Sequence, residues 1–267
     1  MATYLEWNDA LASKFFRHEL DGHSVYLYVN EDLIAEIGRA TGSDHAGFIE
    51  CVKSGPDWVQ NGDLCRVAYN TFDGWRDRDL PWPPYIAYLA LFVLAAGLEG
   101  DFAPNAYYPR LRTLLGLEQG STLPHFHDML DLWDDLENWS NEDKQGELGI
   151  FEARIVGGWM YVGLPLAQTI LTEQERHCLT TIFANEGLDP KFPPPDAELG
   201  QILRSVGANV FRPRTLGILN QADSSDQKQL LIETVAEELS DWNGQVYISD
   251  ANGVDGDLVK SEFGAAR

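Results

Sequence analysis

Apolar positions follow helical spacing from the start of the chain. Trp7, Leu11, Phe15 and Phe16 predict an amphipathic helix over 6–18. Val25-Tyr26-Leu27-Tyr28-Val29 is β-branched and aromatic and follows Gly22, which reads as a short strand. Asn30 or Asp32 then caps a helix carrying Leu33, Ile34 and Ile37, closed by Gly38 or Gly42. From 43 to 82 Gly, Asp, Asn and Pro dilute the pattern, which suggests only strands near 48–52 and 64–70.

The run Tyr85–Leu98 is apolar all round, yet shorter than the roughly 18 to 20 residues that span a bilayer. Pro83 and Pro84 sit where prolines begin a helix, and Gly97 or Gly100 can end it. Acidic neighbours on both sides (Asp77 and Asp79, Glu99 and Asp101) oppose insertion into a membrane. This segment is expected to be the central core helix. A short helix over Tyr107–Leu117 follows. A longer one over His125–Trp139 carries Phe126, Met129, Leu130, Leu132, Trp133, Leu136 and Trp139 on one side. Trp133 and Trp139 read as core, with a partner anchor as the alternative.

The period then changes. Phe151, Ala153 and Ile155 alternate with Glu152 and Arg154, and Gly157-Gly158 separates them from Trp159-Met160-Tyr161-Val162, a hairpin signal. Thr172 with Glu175 forms a capping box opening a helix through Phe183. Pro190, Pro193, Pro194 and Pro195 interrupt the chain, and helices near 196–206 and 213–220 follow. Ser224 or Ser225 caps a longer helix with Leu230, Leu231, Val235, Leu239 and Trp242 on one face, stopped by Asn243-Gly244. The tail starts as a strand at Val246-Tyr247-Ile248 and ends with Leu258, Val259 and Phe263 lacking an evident partner element. Its open edge would pair with the early strand or another subunit, or continue into a longer protein.

The fold class expected is therefore mostly α with a small β component (α+β). Three segments are drawn: an N-terminal α/β part (1–80), a helical core with the hairpin (81–190), and a C-terminal helical part with a terminal strand (191–267). Within the second, helices at 84–98, 107–117 and 125–139 followed by a wing at 149–162 have the order of a winged helix. A helical domain with an incidental hairpin is the equal alternative.

Charge changes that picture. The 267 residues include 42 acidic and 19 basic side chains, a net −23, while 44% are hydrophobic, as in a packed protein. Non-specific nucleic-acid binding and attachment to anionic membranes are both disfavoured, because each draws on basic side chains. The helix that would read a major groove instead displays Asp128, Asp131, Asp134, Asp135 and Glu137. Asp128, Asp131, Asp134 and Asp135 are accordingly candidates for binding a protein partner, or for mimicking nucleic-acid charge. Three cysteines (Cys51, Cys65, Cys178) form no CxxC pair, and no basic-then-apolar leader opens the chain, so a cytoplasmic setting is expected.

Catalytic signatures are sparse. No phosphate loop, GxGxxG turn, HExxH pair or GxSxG elbow occurs, and no cofactor is called for. His125, His127 and Asp128 are weak metal-ligand candidates; at the start of a helix the two imidazoles would diverge, one packed and one wet. Asp44, Glu50 and Lys53 are the residue types of a metal-dependent nuclease at the wrong spacing for a strand. Asp250-Ala251-Asn252 resembles a calcium loop, but Val254 and Asp255 break its pattern. Cys178 beside His177 reads as a buried thiol, since adjacent helical residues diverge. Arg110 with Arg112, and Arg212 with Arg214, are expected to form structural ion pairs, or else a small anion or partner site.

Three stretches, Leu80-Pro81-Trp82-Pro83-Pro84-Tyr85-Ile86-Ala87-Tyr88-Leu89, Tyr107-Tyr108-Pro109-Arg110-Leu111 and Gly149–Trp159, resemble the N-terminal regions of bacterial anti-phage defence-island proteins. The resemblance implies a bacterial cytoplasmic protein that is a subunit of a defence complex. It carries over no functional residue. The leading expectation is a non-enzymatic interaction or scaffold component with protein partners in a multi-subunit assembly. A metal-dependent hydrolase or nuclease with an unfamiliar site, and an acidic nucleic-acid mimic, are the alternatives.

Overall fold

The computed structural model describes residues 2–59, 62–98, 104–153, 162–247 and 258–260. They are mostly α-helix with a small β component, as the periodicity predicts. The chain divides into two compact units, 1–169 and 170–267. The boundaries drawn near 80 and 190 therefore fall inside units, because the helices on either side of each pack on a shared core.

The first unit holds α1 (Tyr4–Phe15), β1 (Ser24–Val25), α2 (Glu31–Thr41), α3 (His45–Ser54), α4 (Leu64–Phe72), α5 (Ile86–Gly97), α6 (Pro104–Leu115), α7 (Leu130–Asn138), β2 (Ile150–Phe151) and α8 (Gly163–Ala167). Every residue of α5 from Ile86 to Ala96 is buried, and α1, α3, α6 and α8 pack around it. Tyr85 at its N-cap supplies no side-chain cap. The work falls to α1 instead. Buried Asn8 accepts from the Ala87 N–H and donates to the Pro83 carbonyl, both at 3.0 Å, and the Tyr4 hydroxyl donates to the Pro84 carbonyl. One amide thus satisfies two groups that burial would otherwise leave costly.

Two segments differ from the strand reading. Residues 48–52 and 64–70 lie in α3 and α4, not in strands. Asp44 and Asp63 cap these helices, accepting from the Gly47 and Arg66 N–H groups at 2.7 and 3.1 Å. Such local caps outweigh the β-branched and aromatic content between them. Among the described residues the early strand covers Ser24 and Val25, which pair in parallel with Ile150 and Phe151. The hairpin expected across Gly157-Gly158 falls on residues 154–161, which lie outside the described residues. A winged helix is not shown.

The 125–139 helix is also modified. His125 takes a left-handed φ of 62°, a 3-10 turn covers Phe126–Met129, α7 follows, and Trp139–Asp143 widens into a π-helical turn. Trp133 and Trp139 are core: Trp133 stacks on Phe151 and Trp139 meets Phe16 edge-on.

The second unit holds α9 (Glu173–Asn185), α10 (Asp196–Val206), α11 (Pro213–Leu219), α12 (Asp226–Asp241), β3 (Gln245–Tyr247) and β4 (Leu258–Lys260). The Thr172–Glu175 capping box is present, and Ser225 caps α12. Leu230, Leu231, Val235, Leu239 and Trp242 are buried, as their spacing requires. The tail finds its partner within itself: β3 pairs antiparallel with β4, Val246 opposite Val259. Leu258 and Val259 thus have the partner strand they were expected to lack, since an open edge is closed by the nearest strand.

Candidate functional site

Helix α7 sorts its carboxylates by face. Leu132, Trp133 and Leu136 point into the core, while Asp131 and Asp134, three residues apart, share the exposed side. Asp135 is only 12% exposed. One of its oxygens accepts from the Trp75 Nε1–H at 2.9 Å and from the Tyr85 hydroxyl, and the other takes the Arg76 guanidinium. Asp143 shares that guanidinium at 3.0 Å. Glu137 accepts the Ala153 N–H at 3.1 Å. Of the four candidate partner-binding acids, Asp135 is therefore committed to the fold and is not available as a contact.

Asp131 and Asp134 make no hydrogen bond or ion pair among the described residues. Partial burial and then the neighbouring Asp131 charge raise the Asp134 carboxyl above its ordinary range. Two like charges held together with no counter-charge among the described residues form a face suited to a basic surface.

Asp128 does something else. The His125 Nδ1 meets one of its carboxylate oxygens at 3.0 Å and the His127 Nε2 meets the other at 2.9 Å. The left-handed turn at His125 brings the three together, against the expectation that the imidazoles diverge. Both rings are wet, at 51% and 64% exposed, so neither is packed. The carboxylate is taken up by the two rings, and no group of three His, Cys, Asp or Glu among the described residues could hold a metal ion.

The other candidates resolve into structural roles. Asp44 caps α3, and Glu50 pairs with Lys53 at 2.8 Å across one turn of the same helix. The Arg212 N–H and Nε–H donate to Glu175 at 2.9 and 3.1 Å, and the Thr215 hydroxyl adds a third donor at 2.7 Å. Arg110 and Arg214 are likewise engaged with neighbours. The Asp250-Ala251-Asn252 turn lies outside the described residues. Cys178 is half-buried, and burial with the Glu175 charge raises its thiol; the half-buried Cys51 donates to the Ala2 carbonyl at 3.0 Å.

Arg112 is different. Its one hydrogen bond runs from Nε to the Ser121 carbonyl at 2.7 Å, and it has no carboxylate partner among the described residues. It lines a cavity of about 310 Å³ with Tyr108, Leu123, Phe126 and His127. Across Leu123 lies a second cavity of about 280 Å³, walled by Leu64, Leu115, Leu117 and Pro124, with Lys53 and Asp63 also in its lining. Buried Cys65 also lines it, its thiol pushed up to about 12 by burial and by the charges of Asp63 and Asp128. Sequence reading missed both cavities, because their walls come from α3, α4, α6 and the 116–127 segment. Among the described residues no helix is long and apolar enough to cross a membrane. No protein-family model, curated protein or solved structure matches the chain.

Proposed function

We propose that the protein is a non-enzymatic interaction component that binds a basic partner protein through the exposed acidic face of α7. The observation that carries this is the division among that helix's carboxylates: Asp135 and Glu137 are consumed internally, while Asp131 and Asp134 are left exposed and unneutralised in a chain of net charge −23. A basic partner relieves their repulsion, which gives association its charge complementarity and salt dependence. The anti-phage, multi-subunit setting is supported by the sequence resemblance. The cytoplasmic setting is supported by three free cysteines.

The test is affinity capture of the tagged chain from its host at low and high salt, followed by reconstitution with the purified co-eluting protein. The reading expects a stoichiometric basic partner that is retained at low salt, released at high salt, and lost when Asp131 and Asp134 are both changed to Asn. A chain that emerges alone and monomeric at both salts overturns it, as does a partner that ignores the double substitution. The same exposed carboxylates favour a second reading, mimicry of nucleic-acid charge. Duplex DNA competing the partner away supports mimicry; indifference to DNA removes it.

A further inference from the structure

We propose that the two cavities meeting at Leu123 form one binding site for a small amphipathic organic anion, a molecule with an apolar body and a single carboxylate, sulfonate or phosphate group. The site is separate from the acidic face of α7 and does not rest on it. Three observations converge.

The first is shape and lining. Each cavity is at or just below the small end of the range for ligand sites, and their shared wall makes the pair a normal one. Leu64, Leu115, Leu117 and Leu123 supply an apolar bed, and Leu117 remains 40% exposed there, an unusual state for a large aliphatic side chain in this chain. Covering it removes apolar surface from water.

The second is charge. Arg112 offers terminal guanidinium nitrogens that have no partner among the described residues, in a protein where acids outnumber bases two to one. Asp63, which lines the second cavity, caps α4, Lys53 on the same wall is paired with Glu50, and the Asp128 carboxylate is taken by His125 and His127. A half-buried guanidinium gains most from an anion that it can meet with two parallel N–H groups.

The third is register. Tyr108, Arg112 and Leu115 stand at i, i+4 and i+7 on one face of α6. Apolar bed and cation are therefore about one helical turn apart, roughly 5 Å. A ligand spanning them needs its anionic group directly attached to its apolar body. The 116–125 loop is fastened over this face: Arg112 Nε holds Ser121, and Gln119 donates to Thr113 at 2.9 Å and to the Pro109 carbonyl at 3.3 Å.

The probes are 1-anilinonaphthalene-8-sulfonate, which has this build, and N-phenyl-1-naphthylamine, which lacks the sulfonate. Fluorescence titration of the full chain is expected to give one saturable site for the sulfonate. Arg112→Gln should weaken the sulfonate by about tenfold or more, as loss of a charge-assisted contact does, and leave the neutral probe nearly unchanged. Arg112→Lys should recover most of the loss. Leu123→Trp, which fills both cavities, should abolish both probes while Arg112 stays in place. Circular dichroism confirms that each variant is folded. Absence of a saturable single site overturns the proposal. So does an Arg112→Gln effect equal for the two probes, or none at all; these comparisons stand even if Leu123→Trp fails to fold.

Discussion

The Tyr85 hydroxyl donates to the carboxylate of Asp135, joining the start of α5 to the middle of α7. With Trp75 on the same oxygen and Arg76 on the other, this carboxylate fixes three segments at once. Burial, and then the Asp135 charge, hold the Tyr85 phenol far above its ordinary range, so it remains a donor at any working pH. Replacing Asp135 by Ala strands the Trp75 N–H and the Tyr85 O–H. The expected cost is about 3 kcal/mol in urea denaturation. Asp131→Ala and Asp134→Ala should each stay within about 0.5 kcal/mol of the parent. Equal costs at the three positions would refute the division of labour on α7.

Glu175 makes a pH prediction for the second unit. Burial alone would raise its carboxyl. The N–H groups of Thr172 and Arg212, the Thr215 hydroxyl and the Arg212 charge together outweigh burial and hold it below the ordinary 4.5. A carboxyl depressed in the folded state contributes stability that is fully present above its unfolded value and is lost as pH falls through its folded value. Glu175→Gln should therefore cost about 2 kcal/mol at pH 7, and the gap to the parent should close below about pH 4.5. Hydrogen exchange of the α9 and α11 amides reads this locally. A gap that is constant from pH 7 to pH 3 would contradict the depressed carboxyl.

What the sequence revealed tracks how local each signal is. The Thr172–Glu175 box, the Ser225 cap and the Pro213 start of α11 lie within one turn of the residues they organise, and each stands where the periodicity placed it. Helices α3 and α4 were obscured because apolar runs as short as Phe48–Val52 fit a strand or a helix equally, and the deciding Asp44 and Asp63 caps look like loop residues. Asp134 and Asp135 are neighbours of the same chemistry. Only the turn of about 100° between them, and a Trp75-Arg76 pair from a distant segment, makes one exposed and the other structural. The parallel pairing of Ser24–Val25 with Ile150–Phe151 and the cavities beside Arg112 are long-range, so no window along the chain displays them.

Cys65 tests how closed the floor of the Leu123 site is. Its thiol stands near 12 against an ordinary 9.0, so its thiolate fraction at pH 8 is about three orders of magnitude below that of a free thiol. Timed N-ethylmaleimide labelling with peptide mapping should find Cys51 and Cys178 modified well before Cys65, and all three modified together in urea. Cys65 labelling as fast as Cys178 in the folded chain would show that the cavity opens further than its walls imply.

Gly149 carries the tightest backbone constraint beside β2. Its φ is +109°, a conformation that L side chains rarely adopt, and a Cβ there would collide with the Val25 side chain while meeting the Leu20 Cβ at 3.3 Å. Val25 is buried and β-branched, so it has no long flexible end to swing aside. Gly149→Ala should cost about 3 kcal/mol, the sum of backbone strain and overpacking. Gly22 is the control: its φ is +70° with open space around it, so Gly22→Ala carries the backbone part alone, about 1 kcal/mol. Shortening the obstacle separates the two contributions further. In a Val25→Ala background Gly149→Ala should cost little more than Gly22→Ala, a coupling that urea denaturation of the four-member cycle measures directly. Additive costs in that cycle would mean that Gly149 is required for its backbone alone, and that the β1–β2 contact tolerates a methyl group.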